Sequence, residues 1–301
     1  MAATSQSLAQ NMPKPAGEPG GKPLSQSVST ALYYVLISAI GLVLFTPFIL
    51  ATLGSFKTGA EIIAFPPKLF PENWLFENWV KVWNTDFGEG ATFARWLFNT
   101  AFLSVTIAAL QVVANSMAAY AFARLDFSGK DGVFNFMLGT MMIPGAVTVI
   151  PAFVLMAKLQ LLNTYWSLIL PGIVGAGGIF MLTQFFRAIP RDLEEAALID
   201  GANQFQIYKD VLLPLARPAL LTVFILQFQG MWNNFLTPLL YLDAPRMWVL
   251  NVALATFTQQ YRSEYTLTLV GAMFNAVPVL ILFFLFSKYY IEGAAYSGIK
   301  G

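Results

Sequence analysis

The 301-residue chain is 57% hydrophobic and 11% charged, with a mean hydropathy of +0.62, whereas a soluble domain carries charge on roughly a quarter of its residues. That balance excludes a water-soluble globular protein and predicts an all-α, polytopic membrane protein. A formal net charge of +1 with no long basic run gives no footing for nucleic acid. The absence of Cys and His removes disulfides, thiol nucleophiles, imidazole bases and the usual zinc sites.

Residues 1–30 are rich in Ser, Pro, Gly and Gln, carry Lys14 and Lys22, and lack an apolar period. They read as a disordered cytoplasmic tail ahead of a membrane domain over 31–301. The apolar run 31–54 is longer than a signal-peptide core and reaches the roughly 20 residues that cross a bilayer, which predicts a retained first span. Residues 57–95 then carry prolines with Trp74, Trp79 and Trp83. They read as an interfacial aromatic belt or as a docking surface for another protein, and the two are compatible. Further spans are predicted over 96–122, 133–157, 165–186, 219–242 and 267–289, giving about six helices with both termini on one side. The connection 243–265 is a second candidate contact surface.

Within these spans Pro144, Pro151 and Pro171, with Gly172, Gly175, Gly177 and Gly178, predict kinks and close helix crossings, mobile or static. Asn99, Gln111, Asn115, Ser116 and Asn275 read as hydrogen-bonding glue between helices. Arg124, Lys130, Arg187, Arg191, Lys209, Arg217 and Lys288 fall on one side with Lys14, Lys22 and Lys300, which the positive-inside rule makes cytoplasmic. No acid or base lies centrally in any predicted span, so the chain has no device for coupling to an ion gradient. It also lacks the GxxxxGK[ST] loop that holds nucleotide phosphates, so energy must enter through a partner.

The stretch PRDLEEAALIDGANQFQIYKDVLLPLARP, residues 190–218, is a charged helical hairpin in an apolar chain. Asp192 followed by Glu195 has the spacing of a capping box, which predicts a helix starting near Asp192 with Leu193, Ala196 and Ala197 on one face. Gly201 follows Asp200 where a left-handed residue closes a helix. Asn203 with Gln206 repeats the cap for a second helix, which Pro214 is expected to end.

Glu195-Ala196-Ala197, then Gly201, then Val211-x-Leu213-Pro214, at these spacings, resemble the EAA loop of the permease subunits of binding-protein-dependent ABC importers. The similarity runs from about Trp96 onward, with a permease core over 96–290. The closing residues 293–301, GAAYSGIKG, are similar to the tail of the carbohydrate-uptake, maltose-type branch.

The resemblance implies a type I importer permease in a bacterial or archaeal plasma or inner membrane, and it assigns ATPase coupling to Glu194, Glu195, Ala196, Ala197, Asp200, Gly201, Leu213 and Pro214. It implies a second permease subunit, two ATPase subunits that bind the ATP and Mg, and an extracytoplasmic solute-binding protein. It also implies a cytoplasmic C-terminal tail, 290–301, whose last residues, Gly298 to Gly301, follow the ATPase surface. No cofactor is expected in this chain, which is a transport subunit rather than an enzyme.

For the cargo, Gln227, Gly230, Met231 and Asn234 share a helical stripe, with Trp232 and Asn233 beside it. Amides donate to and accept from hydroxyls and an indole stacks on a sugar face, so the set suits a neutral carbohydrate. The same residues also suit packing between helices. A polyol, glycerol 3-phosphate and an oligosaccharide remain rival cargoes.

Overall fold

The computed structural model describes residues 24–260 and 265–298, with side chains described over 28–256 and 265–284. The predicted tail falls largely outside the described residues, as do the last residues of the chain. By contacts the chain divides into Met1–Leu50 and Ala51–Gly301. Among the described residues there is no strand, only an isolated bridge between Asp86 and Thr92.

The first helix, α1 (Leu24–Ser55), begins ahead of the predicted span. Its side chains Leu32, Val35, Leu42 and Leu44 are exposed, as suits a segment whose solvent is hydrocarbon. Short helices α2 (Gly59–Ile63) and α3 (Glu77–Asn84) follow in the aromatic connection, where Thr58 and Glu61 form a reciprocal capping box. Phe274 receives Trp79 at 4.9 Å and Trp83 at 5.6 Å between ring centroids, and the Trp79 indole donates to Ser55 Oγ. This half of the belt is therefore a folded cap. Phe65, Phe70, Trp74 and Phe76 stay exposed.

The centre of the larger unit is α4 (Phe93–Arg124), which packs chiefly on α8 and α12. Beyond it come α5 (Lys130–Thr140), α6 (Gly145–Lys158), α7 (Trp166–Gly172) and α8 (Ala176–Ala188). The hairpin comprises α9 (Asp192–Ile199), α10 (Gln204–Gln206), a π-helical stretch over Ile207–Leu212 and α11 (Leu213–Leu215). The chain closes with α12 (Arg217–Trp232), α13 (Leu236–Tyr241), a 3-10 turn at Pro245–Met247, α14 (Leu250–Gln260) and α15 (Tyr265–Gly298).

Four stretches among the described residues are long and apolar enough to cross a membrane: Val28–Ser55, Phe93–Arg124, Trp166–Ala188 and Tyr265–Phe284. The number rises to 6 if each of two bent pairs counts as one span. The first pair, α5 with α6, is the predicted span 133–157, bent by 101° where Pro144 enters. The second pair joins the hairpin limb Gln204–Leu215 to Arg217–Trp232 at a bend of 77°, and the predicted span 219–242 is corrected at its end, because its helix stops at Trp232. The connection 243–265 is likewise more structured than expected, because α14 buries Leu250, Val252 and Ala253. At the other end of the domain α15 continues as helix to Gly298, through most of the expected tail.

The glycines of α7 and α8 do pack closely. A Cβ on Gly172 would stand 2.7 Å from Ile107, one on Gly175 2.9 Å from the Gln111 amide, and one on Gly178 would run into Asn115. Residues 107, 111 and 115 form one stripe of α4. Where the chain breaks between α7 and α8, Gln111 Nε2 donates to Gly172 O at 3.1 Å and Gly175 N donates to Asn115 Oδ1 at 3.1 Å. The expected glue therefore closes a backbone break inside an apolar layer, where an unpaired peptide group costs several kcal/mol.

Candidate functional site

The hairpin starts without the predicted capping box. Arg191 is already helical (φ −69°, ψ −25°) and serves as N-cap with no side-chain bond, so Asp192 lies inside the helix and cannot cap it. Asp192, Glu194 and Glu195 instead place three carboxylates in the first turn, where the helix dipole favours negative charge. The other end is as predicted. Gly201 is left-handed (φ +85°), and Gly201 N donates to Leu198 O while Ala202 N donates to Ala197 O, the paired bonds of a Schellman closure. Asn203 then accepts from Gln206 N at 2.9 Å, and the Gln206 side chain accepts from Asn203 N at 2.8 Å.

Pro214 does not end the second helix. The helix widens into π turns, with Leu213 N donating to Tyr208 O, and continues to Leu215. Wider turns relieve the clash between the proline ring and the carbonyl one turn earlier, so the ring is absorbed as a bulge. Leu213 is half-buried and Pro214 exposed.

Tertiary contacts tie the hairpin to the last three turns of α4. Arg124, 4% exposed in its side chain, lies 2.6 Å through Nε from Oε1 of Glu194, which is 13% exposed. Arg124 Nη2 also donates to Ile189 O at 2.6 Å. One turn back, the Tyr120 hydroxyl donates to Gln204 Oε1 at 2.5 Å. A further turn back, Ser116 Oγ and the Tyr208 hydroxyl are 2.8 Å apart. Burial pushes the Glu194 carboxyl above its ordinary range, against the pull of Arg124 and Arg191.

The predicted coupling set thus divides. Glu194 faces inward and is committed to Arg124, and Ala197 packs on the core formed by Phe186, Ile207 and Leu212. Glu195, Ala196, Asp200 and Gly201 are exposed. Beside them stand Ile199 at 86% and Phe205 at 64% exposure, with Leu193 and Leu198 about half exposed. Exposed apolar Ile199 and Phe205, on a hairpin that also exposes Glu195, Asp200 and Lys209, are groups that a cleft on another protein can bury. Sequence reading missed Ile199 and Phe205, although both flank the Gly201 turn in an otherwise polar loop.

The predicted cargo stripe is not brought together. Asn234 lies past the end of α12, bonded to Thr237 at the start of α13, and exposed Asn233 donates to Gln229 O. Met231 is buried with Leu103, Ile107 and Met156. Trp232 is buried against Phe228, and its indole donates to Asn275 O. Asn275 Nδ2 donates to Asn251 Oδ1 and Asn251 Nδ2 to Trp232 O, closing a ring of amides and indole between α12, α14 and α15. These two residues pack the chain's own interior, and of the predicted set only Gln227, Asn233 and Asn234, with Gly230, keep accessible surface.

The family model of binding-protein-dependent transport system inner membrane components matches residues 111–292, which include the whole hairpin. The chain is 35% identical to the arabinooligosaccharides transport system permease protein AraQ of Halalkalibacterium halodurans, covering 85% of this chain and 91% of that protein. It is 32% identical to the diacetylchitobiose uptake system permease protein NgcG of Streptomyces coelicolor, covering 86% and 85% of the two chains. Among solved structures, a chain of a bacterial ABC transporter that imports the acidic polysaccharide alginate superposes with a TM-score of 0.76. That pair is 25% identical, and the match covers 90% of this chain and 99% of that one.

Proposed function

This chain belongs to the family of binding-protein-dependent transport system inner membrane components, and we propose that it is one permease subunit of an ATP-driven importer of oligosaccharides. In this reading it forms half of the translocation pathway beside a second permease. Two copies of a separate ATPase hydrolyse ATP on the cytoplasmic side, an extracytoplasmic binding protein delivers the sugar, and both termini are cytoplasmic. The observation that carries the reading is the hairpin, free at its tip through Ile199, Phe205 and Glu195 and fastened at its base to α4 through Glu194.

The mechanism follows from that arrangement. Closure of the ATPase moves the docked tip, Gly201 and the Asn203 cap keep α9 and α10 as one body, and the spans rock between inward-open and outward-open states. In this reading the exposed Glu195 pairs with a cation of the ATPase cleft. The accessible amides Gln227, Asn233 and Asn234 are the groups left to meet sugar hydroxyls, with the partner permease supplying the facing wall.

The test is reconstitution with the neighbouring ATPase, permease and binding protein in proteoliposomes. ATP-dependent uptake of a neutral oligosaccharide is expected, and Glu195→Lys should abolish it. Uptake by this chain alone under an ion gradient, or unchanged uptake with Glu195→Lys, would refute the assignment.

A further inference from the structure

Two covalent routes lead from the hairpin into the membrane layer, and neither is a stiff shaft. One passes through the extended joint at Ile189 and Pro190, and the other through Ala216, where the helix axis turns by 77°. The stiff element at hand is α4, an unbroken helix of 32 residues, about 48 Å long. Its hairpin end holds Arg124, Tyr120 and Ser116. Its opposite end holds the loop before α14: the Trp96 indole donates to Pro245 O at 2.8 Å, Asn99 Nδ2 to the carbonyls of Arg246 and Trp248 at 3.0 Å each, and Leu250 N to Thr100 Oγ1 at 2.8 Å.

Of the ties at the hairpin end, the Arg124–Glu194 pair alone joins opposite charges. Arg124 is almost fully buried and Glu194 largely so, and Arg124 cannot exchange its partner for water without opening the joint.

We propose that Arg124 and Glu194 are a positioning pair that makes α4 move with α9, so that α4 carries the hairpin's displacement to the loop 245–250 at the far side of the layer. The inference rests on the importer reading and adds to it the identity of the transmitting helix. The covalent continuation through α12 is then the follower, and the loop 245–250 responds to events at the hairpin through backbone carbonyls held by Trp96 and Asn99.

The experiment uses the complete transporter in proteoliposomes and reads the stimulation of ATP hydrolysis by sugar-loaded binding protein. Arg124→Met is expected to lower that stimulation by about tenfold or more. The reversed pair, Arg124→Glu with Glu194→Arg, should raise it again by about threefold or more over Arg124→Met, because opposite charges are restored, while Arg191 and the dipole of α9 keep a cation at 194 from full recovery.

Because this chain has no Cys, a single spin label at the exposed position Phe98→Cys, introduced before assembly with the other subunits, reports on the far end of α4 without background. Its ATP-dependent spectral change should vanish with Arg124→Met and return with the reversed pair. Should Arg124→Met reduce the yield of the complex, the neutral pair Arg124→Met with Glu194→Gln replaces it, and it should remain uncoupled.

A neutral pair that couples like the wild type would overturn the proposal, and so would a label signal that persists in Arg124→Met. A wild-type assembly with no stimulation by binding protein would instead strike at the importer reading itself, and the strut would fall with it.

Discussion

Replacing Gly201 isolates a conformational cost, because its surroundings impose none. It lies at φ +85°, and a Cβ built there meets nothing within 4 Å, so a side chain is penalised only by the left-handed backbone. For an L-residue that penalty is about 1–2 kcal/mol, less for Asn and more for a β-branched residue. Against it stand the Schellman bonds Gly201 N to Leu198 O and Ala202 N to Ala197 O, each worth about 1 kcal/mol net. The terms are close, so Gly201→Ala should keep the turn but depopulate it, by about tenfold for each 1.4 kcal/mol.

The assay is titration of the ATPase onto proteoliposomes that hold both permeases, reading the concentration that gives half-maximal ATP hydrolysis. Gly201→Asn is expected to stay near the wild type, Gly201→Ala to need about five to thirty times more ATPase, and Gly201→Val more still. If Asn is as damaging as Val, the partner is meeting the new side chain and backbone strain is not the cause. If Val behaves like glycine, the turn is not needed in this shape at all.

The Glu194 carboxyl, raised by burial beside Arg124, Arg191 and Tyr120, should take up its proton above the ordinary carboxylate value of 4.5. A raised folded value means the folded state binds that proton more readily than the unfolded chain. This group therefore adds stability as pH falls through its folded pKa and loses it as pH rises again. Coupled ATPase activity should fall over that acid window without a drop in thermal midpoint from this group, and Glu194→Gln should remove that portion of the pH profile.

Asn115→Ala leaves Gly175 N without its acceptor in a half-buried break and should cost about 1 kcal/mol, read as a lower thermal midpoint in detergent. Trp232→Phe keeps the stack on Phe228 and loses the bond to Asn275 O, at a cost of about 0.6 kcal/mol. The KM for sugar should not change. A raised KM at unchanged stability would make Trp232 a ligand after all.

Features set by neighbours in the chain were legible. The runs that became α1, α4 and α15 needed only length and apolarity, Gly201 needed only its place after a helical pattern, and the Asn203 cap its partner three residues on. What failed depended on residues far apart in sequence. Glu194 resembles any first-turn acid until Arg124, 70 positions earlier in the chain, is brought to it, and the only hint was an arginine closing an otherwise uncharged span on the hairpin's side. Met231 and Trp232 had the right residue types for a sugar contact, but which face of α12 met α4, α14 and α15 was not written in its own period, since apolar residues surround that helix. Pro214 misled because the rule that proline stops a helix assumes α geometry, and a π bulge escapes it.

The break between α7 and α8 bears on how the molecule is made. Its exposed peptide groups are answered by Gln111 and Asn115, which belong to a helix synthesised earlier. A nascent α7 and α8 leaving the insertion machinery by themselves would carry bare backbone polar groups into hydrocarbon, which lipid does not tolerate. Their release is therefore expected to wait for α4 to stand alongside, so that the order of residues along the chain also schedules the order in which its helices can enter the bilayer.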